Sequence, residues 1–312
     1  MTSVLYDNPG PAARRRVRFW TAVSIVALAA IVAFVTWQVA RKGQLSAAMW
    51  SPFADPGLWR QLFDSLFATI KAALLSIVLA LVLGAVLAAG RLSDRAWLRW
   101  PAFVVIEFFR AVPLLLLILF GLFTWGPALS FIGTAIGATP PDAFAALVVG
   151  LTLYNGSVLA EVFRAGINAV PRGQGEAAYA LGMRKTAVMR MILAPQAIRM
   201  MLPAIVAQCV VALKDSALGF IVGYQELLSF GKRIYQGGAD IWELPQPPVV
   251  TTLIVVVAIY IVINLLLSWL ASWLERRMSR SRKLAAAPLT AMQTGEEPVA
   301  AGPLGGEPPA PK

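Results

Sequence analysis

Six stretches of this chain are too long and too apolar to be core helices of a water-soluble domain. They run from about Phe19 to Val39, Leu62 to Ala89, Pro101 to Phe123, Asp142 to Val162, Ile198 to Leu213 and Val249 to Leu274. Each approaches the roughly 20 residues that a helix needs to cross a bilayer. Hydrocarbon offers no hydrogen bonds, so the backbone of such a stretch must satisfy itself, as a helix does. The expected fold is therefore an all-α integral membrane protein with six transmembrane helices. Charged residues make up only 14% of the chain, against roughly 25% in soluble domains. The formal net charge of +11 does not point to nucleic acid, because the positive side chains border the apolar runs, where the positive-inside rule places them. The lipid bilayer is the expected surrounding.

Several chemistries are excluded. There is no histidine, so no histidine base and no histidine-ligated metal. A single cysteine, Cys209, permits no internal disulfide. The only Gly-Lys pair, Gly231-Lys232, lacks the rest of a phosphate-binding loop. No catalytic residue, metal ligand or cofactor is assigned.

Residues 1–18 form a basic N-terminal segment ending in Arg14, Arg15, Arg16 and Arg18. The helix at 19–40 is longer than a signal-peptide core of roughly 7–15 residues, so an uncleaved anchor is expected. Trp50, Pro52, Pro56 and Trp59 mark an interfacial loop before a membrane domain at 62–275. Residues 284–312 are rich in Ala, Pro and Gly, and a disordered cytoplasmic tail is expected there. If residue 1 is cytoplasmic, eighteen basic residues flank the spans inside and six outside. That asymmetry favours two cytoplasmic termini and puts the segment at about 171–195 in the cytoplasm.

This central segment, continuing to Pro203, is charged where its neighbours are not. Ala177, Leu181, Val188 and Ile192 fall at helical spacings and predict one apolar stripe, with Arg184, Lys185 and Arg190 off it. Gly182 interrupts the helix and suggests a bend or a close backbone approach. Pro195 is expected to stop it. The residues allow a helix pair offered to a partner, or an ordinary polar loop. Ionisable groups inside the spans are the other candidates. Glu107 with Arg110, and Glu161 with Arg164, are spaced to pair on one helix face. Lys71 can snorkel or serve a pathway. Tyr154 and Asn155 lie in mid-span, and Lys214-Asp215-Ser216 ends an apolar run just before Gly219 and Gly223.

Glu176-Ala177-Ala178, Gly182, Ile192 and Pro195 resemble the EAA loop of ABC-importer permeases, with Ala194 where that pattern has Leu. Gly173-Gln174-Gly175, Ala180-Leu181-Gly182-Met183, Pro195-Gln196-Ala197, Lys214-Asp215-Ser216 and Phe109-Arg110-Ala111-Val112-Pro113-Leu114-Leu115 resemble the polar amino-acid branch of that family. The resemblance spans about residues 64–275. It implies a type I importer core with one extra N-terminal helix, in a bacterial cell membrane. It implies that Gly173, Glu176, Ala177, Ala178, Leu181, Gly182, Arg184, Val188, Ile192 and Pro195 couple to a pair of ABC ATPase subunits. Those partners would hydrolyse the ATP, so the chain itself is not expected to be an enzyme. A second permease subunit, related or identical, and an extracytoplasmic amino-acid-binding protein would complete the assembly. Asn155, Ser157, Lys214, Asp215 and Ser216 offer the donors and acceptors a zwitterionic amino acid needs, and are the candidate substrate path. Glutamate is the favoured cargo, by likeness to actinobacterial glutamate-uptake permeases. The competing readings are a secondary transporter or channel without an ATPase, and a membrane enzyme. The first would commonly carry midplane carboxylates and repeated halves; the second lacks any nucleophile or metal motif.

Overall fold

The computed structural model describes residues 10–285, and they are helical and loop with no strand. Helix α1 (Pro11–Arg41) is followed by a short 3-10 helix at Ala47–Ala54, then α2 (Pro56–Arg91), α3 (Ala96–Ala111) and α4 (Leu114–Phe123). Two short helices, α5 (Trp125–Ala128) and α6 (Ser130–Ala135), lead to α7 (Pro141–Asn168). Then come α8 (Arg172–Ala180), α9 (Lys185–Val188), α10 (Ala194–Asp215), α11 (Leu227–Ile241) and α12 (Val249–Ala285). Five helical stretches are long and apolar enough to cross a membrane, and the pair α3–α4, bent by 100°, makes a sixth if it counts as one span.

Local chemistry moves several boundaries from their expected places. Arg14 to Arg18 lie within α1, which has no buried residue. Helix α2 starts ahead of Leu62, because the Asp55 carboxylate accepts a hydrogen bond from the Gly57 N–H at 2.8 Å and Pro56 occupies the first turn. The run expected as one helix from Pro101 to Phe123 is two. Pro113 cannot donate to the ladder, and Val112 before it is extended at φ −76°, ψ 129°. After Asp215 a 3-10 turn at Ser216–Phe220 leads into α11, which begins after Glu226. From residue 286 onward, the expected tail lies outside the described residues.

Helices α2 and α7 form the axis of the bundle. Helix α2 buries Ser65, Thr69, Ala72, Ala73, Ser76, Ala80, Gly84 and Ala88, a stripe of small side chains at helical spacing. Its opposite face exposes Phe63, Phe67, Leu74, Val78, Val82 and Val86. Small residues inside and large apolar ones outside suit a helix surrounded by lipid, where close backbone packing drives association because apolar burial does not. Helix α7 answers with Ala145, Ala146, Gly156 and Ala160. Phe144, Leu147 and Leu151 of α7 join Ile118 of α4 and Tyr224 in one core cluster. Leu58 and Leu62 of α2 join Leu227, Phe230 and Ile234 of α11 and Val256 of α12 in another.

One buried carboxylate ties the second cluster together. Glu226 is fully buried at the start of α11 and accepts from the Leu228 N–H (2.8 Å), the Ser229 N–H (2.7 Å) and the Tyr260 hydroxyl of α12 (2.8 Å). Burial pushes its carboxyl above the usual range, and these donors pull in the opposite direction. The Leu227 N–H donates to Thr69 Oγ1 of α2 at 3.0 Å, so three helices meet there.

The contact between α2 and α7 is tight enough to test. A Cβ on Gly84 would lie 2.9 Å from Leu159 Cβ and 3.0 Å from the Gly156 carbonyl oxygen. Gly84→Val should therefore cost about 1–3 kcal/mol and lower the melting temperature of the detergent-purified protein. Val86→Ala, on the exposed face, should leave it unchanged. Equal melting temperatures for the two variants would show that the axis is not packed this closely.

Candidate functional site

The segment with the EAA-like pattern follows directly from the end of α7. Helix α8 ends in a Schellman cap: the Gly182 N–H donates to the Tyr179 carbonyl at 2.9 Å, and the Met183 N–H to the Ala178 carbonyl at 3.1 Å. Gly182 sits at φ +77°, and a Cβ placed there would meet no atom of the described residues within 4 Å. The glycine thus serves the left-handed turn, not a close approach inside the chain.

That turn breaks the expected single stripe. Ala178 and Val188 face inward and are buried. Glu176 and Ala177 are exposed, and Leu181 is 83% exposed. Gly173, Arg184 and Pro195 are also exposed, and Ile192 is half-buried. A leucine this open on a short capped helix is an apolar knob that the described residues leave uncovered. Pro195 does not stop a helix. It occupies the first turn of α10, directly after a π-helical turn at Met189–Leu193 that joins α9 to α10. A proline is tolerated in a first turn, where its missing N–H has little to lose, and the wider π turn absorbs the disturbed ladder.

Charged groups brace this end of the bundle. Arg164 Nη2 lies 2.8 Å from Glu161 Oε2, and Arg91 of α2 lies 3.9 Å from Glu161 Oε1. The Arg91 guanidinium also stacks over the Phe103 ring at 4.1 Å. Lys185 forms an ion pair with Asp94 in the α2–α3 connection. Glu107 and Arg110 pair at 3.5 Å on an exposed face of α3. The two i, i+3 pairs were legible from spacing. Arg91 and Asp94 were not, because both join their partners across the fold.

The candidate path residues are not gathered in one cavity. Asn155 is buried on α7; its amide donates to the Leu151 carbonyl (2.9 Å), and its oxygen accepts from Gln208 of α10 (2.6 Å). Ser157 donates to the Tyr154 carbonyl and Ser216 to the Leu213 carbonyl, both at 2.7 Å and within their own helical turns. Lys214 and Asp215 end α10, with Lys214 exposed at the rim of a cavity whose lining includes Val210, Leu253 and Tyr260. Gln208 is the one polar residue of this group that sequence reasoning passed over. Its place on the same helical run, less than two turns before Lys214, was the available signal.

Residues 80–280 match the family of binding-protein-dependent transport system inner membrane components. The chain belongs to this family. The permease is 43% identical over 190 residues to the glutamate transport system permease protein GluD of Corynebacterium glutamicum, covering 61% of this chain and 67% of that one. It is 34% identical over 162 residues to the arginine transport system permease protein ArtQ of Bacillus subtilis, covering 52% and 69%. A crystal structure of an amino acid ABC transporter with histidines superposes with a TM-score of 0.57 at 31% identity, over 70% of this chain and 94% of that one. The matched region contains the EAA-like segment, the Asn155–Gln208 pair and Lys214-Asp215 of this permease. Helix α1 lies outside it.

The Asn155–Gln208 bond joins the two helices that carry the path candidates. In a double-mutant cycle of Asn155→Ala and Gln208→Ala, thermal unfolding in detergent should give a coupling of about 0.6 kcal/mol, the common value for polar contacts between membrane helices. Strict additivity would mean that α7 and α10 are not held together by this bond.

Proposed function

We propose that this permease is the membrane-spanning subunit of an ATP-driven importer for polar amino acids, with glutamate as its cargo. The observation that carries the reading is the capped helix α8 with Leu181 standing clear of the chain beside exposed Glu176. A pair of ATPase subunits would receive this knob in surface clefts. Gly182 leaves the docking face free of a side chain at the turn. The Lys185–Asp94 pair joins the start of α9, just past the knob, to the α2–α3 connection, so a displacement of this segment would be felt at the loop that follows α2. ATP-driven closure of the ATPases would draw two such segments together and switch the cavity between inward and outward access, a rigid-body change selected by differential contacts. The second permease would be a related chain, following the glutamate-type likeness, and an extracytoplasmic binding protein would deliver the substrate. In this arrangement both termini and α8 are cytoplasmic, Lys214 and Asp215 line the path, and α1 is an added anchor. ATP hydrolysis belongs to the partner.

Glutamate is favoured over arginine because the relative with the higher identity is a glutamate permease. Uptake of labelled glutamate by cells with and without the gene, against excess unlabelled amino acids, tests the cargo. Loss of uptake without the gene, with competition confined to glutamate and aspartate, is expected; unchanged uptake removes glutamate. Gly182→Arg or Glu176→Lys should abolish uptake while the protein still inserts. Gly182→Ala should retain most of it, because strain at a positive φ costs only about 1 kcal/mol. Normal uptake in both charged variants would remove α8 as the coupling element.

A further inference from the structure

At the end of the bundle away from α8, the outer turns of α2 border a cavity of 390 Å³. Its charged lining consists of Asp64 and Lys71 of α2 and Arg233 of α11, with Gln61, Thr139 and Gln225 adding neutral polar groups. Among the described residues none of the three charged groups takes part in an ion pair. Lys71 Nζ makes one long hydrogen bond, 3.3 Å to the Ile136 carbonyl, and lies over the Phe67 ring at 5.3 Å, which leaves it without an anionic partner among the described residues. Arg233 lies over the Phe230 ring at 5.2 Å.

Three hydrogen bonds hold the walls in register. The Tyr224 hydroxyl donates to the Ala68 carbonyl (3.1 Å), the Leu227 N–H to Thr69 Oγ1 (3.0 Å), and the Gln225 N–H to the Thr139 carbonyl (3.2 Å). Helix α2, the loop before α7 and the start of α11 are thereby joined around the opening. Two cations and one carboxylate, unneutralised by each other, are the mirror image of glutamate, which carries two carboxylates and one ammonium. The cavity also falls in the size range of small-molecule sites, roughly 300–1,000 Å³.

We propose that this cavity is a receiving site for a dicarboxylic amino acid on the side opposite the coupling segment. Lys71 and Arg233 take the two carboxylates, and Asp64 takes the ammonium. The assignment rests on the glutamate reading above and gives its selectivity a place in this chain. Substrate released by a binding protein at this end meets these groups before it reaches Lys214 and Asp215.

Binding of labelled L-glutamate and of labelled glutarate, which has both carboxylates but no ammonium, is measured on the purified permease–ATPase complex in detergent. Each variant is first checked for monodisperse elution. Lys71→Met and Arg233→Met should each weaken both ligands tenfold or more, and Arg233→Lys should restore most of the loss. Asp64→Asn should weaken L-glutamate tenfold while leaving glutarate as tight or tighter. A disturbed fold cannot produce that opposite response. Variants that bind like the wild type, an Asp64→Asn variant that moves both ligands alike, or a wild-type complex that binds neither, would overturn the site. Cellular glutamate uptake is scored separately. Uptake without the charge pattern leaves the importer reading standing and removes the cavity; the charge pattern without uptake does the reverse.

Discussion

Close backbone packing between α2 and α7 is the constraint on which the rest of the permease depends. Lipid is as apolar as leucine, so burying large side chains between helices gains little. Contact must come from backbones that approach closely, and only Gly, Ala, Ser and Thr allow it. The stripe from Ser65 to Ala88 supplies that surface along most of α2. Gly84 against Gly156 and Leu159 is a close approach on it. Once this axis is set, α4 to α6 cover one flank of α7, and α10 packs along another.

The axis gives the two ends of the molecule different chemistry. Near the C-terminal ends of α2 and α7, Arg91, Glu161 and Arg164 brace the helices, and the Lys185–Asp94 pair reaches α9. At the opposite end, Thr69 and Glu226 pin α11 and α12 to α2. In the proposed coupling, a push on α8 would meet this braced end of the bundle. Rigid elements with two stable packings transmit such a push better than a deformable core does.

Much of this was readable in the residues. The apolar runs, the i, i+3 ion pairs and the turn at Gly182 all follow from local rules, and the structure keeps them. The small-residue stripe was equally local, but Gly, Ala, Ser and Thr carry little hydropathy contrast, so apolar periodicity does not single it out. The errors cluster at prolines. Pro113 splits an expected single helix, whereas Pro195 fails to end one. In both cases the missing N–H is the same; what differs is whether the neighbouring turn can widen to absorb it. A π turn at Met189–Leu193 does so before Pro195, and an extended Val112 forecloses it at Pro113.

By itself, the sequence determined which runs are apolar enough for hydrocarbon and which short segment is too polar to join them. These are properties of the backbone and of its immediate neighbours along the chain. Only the tertiary structure decided that Leu181 stands exposed while Val188 is buried, that Asn155 is bonded to Gln208, and that Asp64, Lys71 and Arg233 share one opening. Arg233 is far from the other two in sequence. Its place beside them depends on α11 docking against α2 through Thr69 and the apolar cluster of Leu58, Leu62 and Leu227. Periodicity within one helix carries no information about which distant helix will supply the opposing charge.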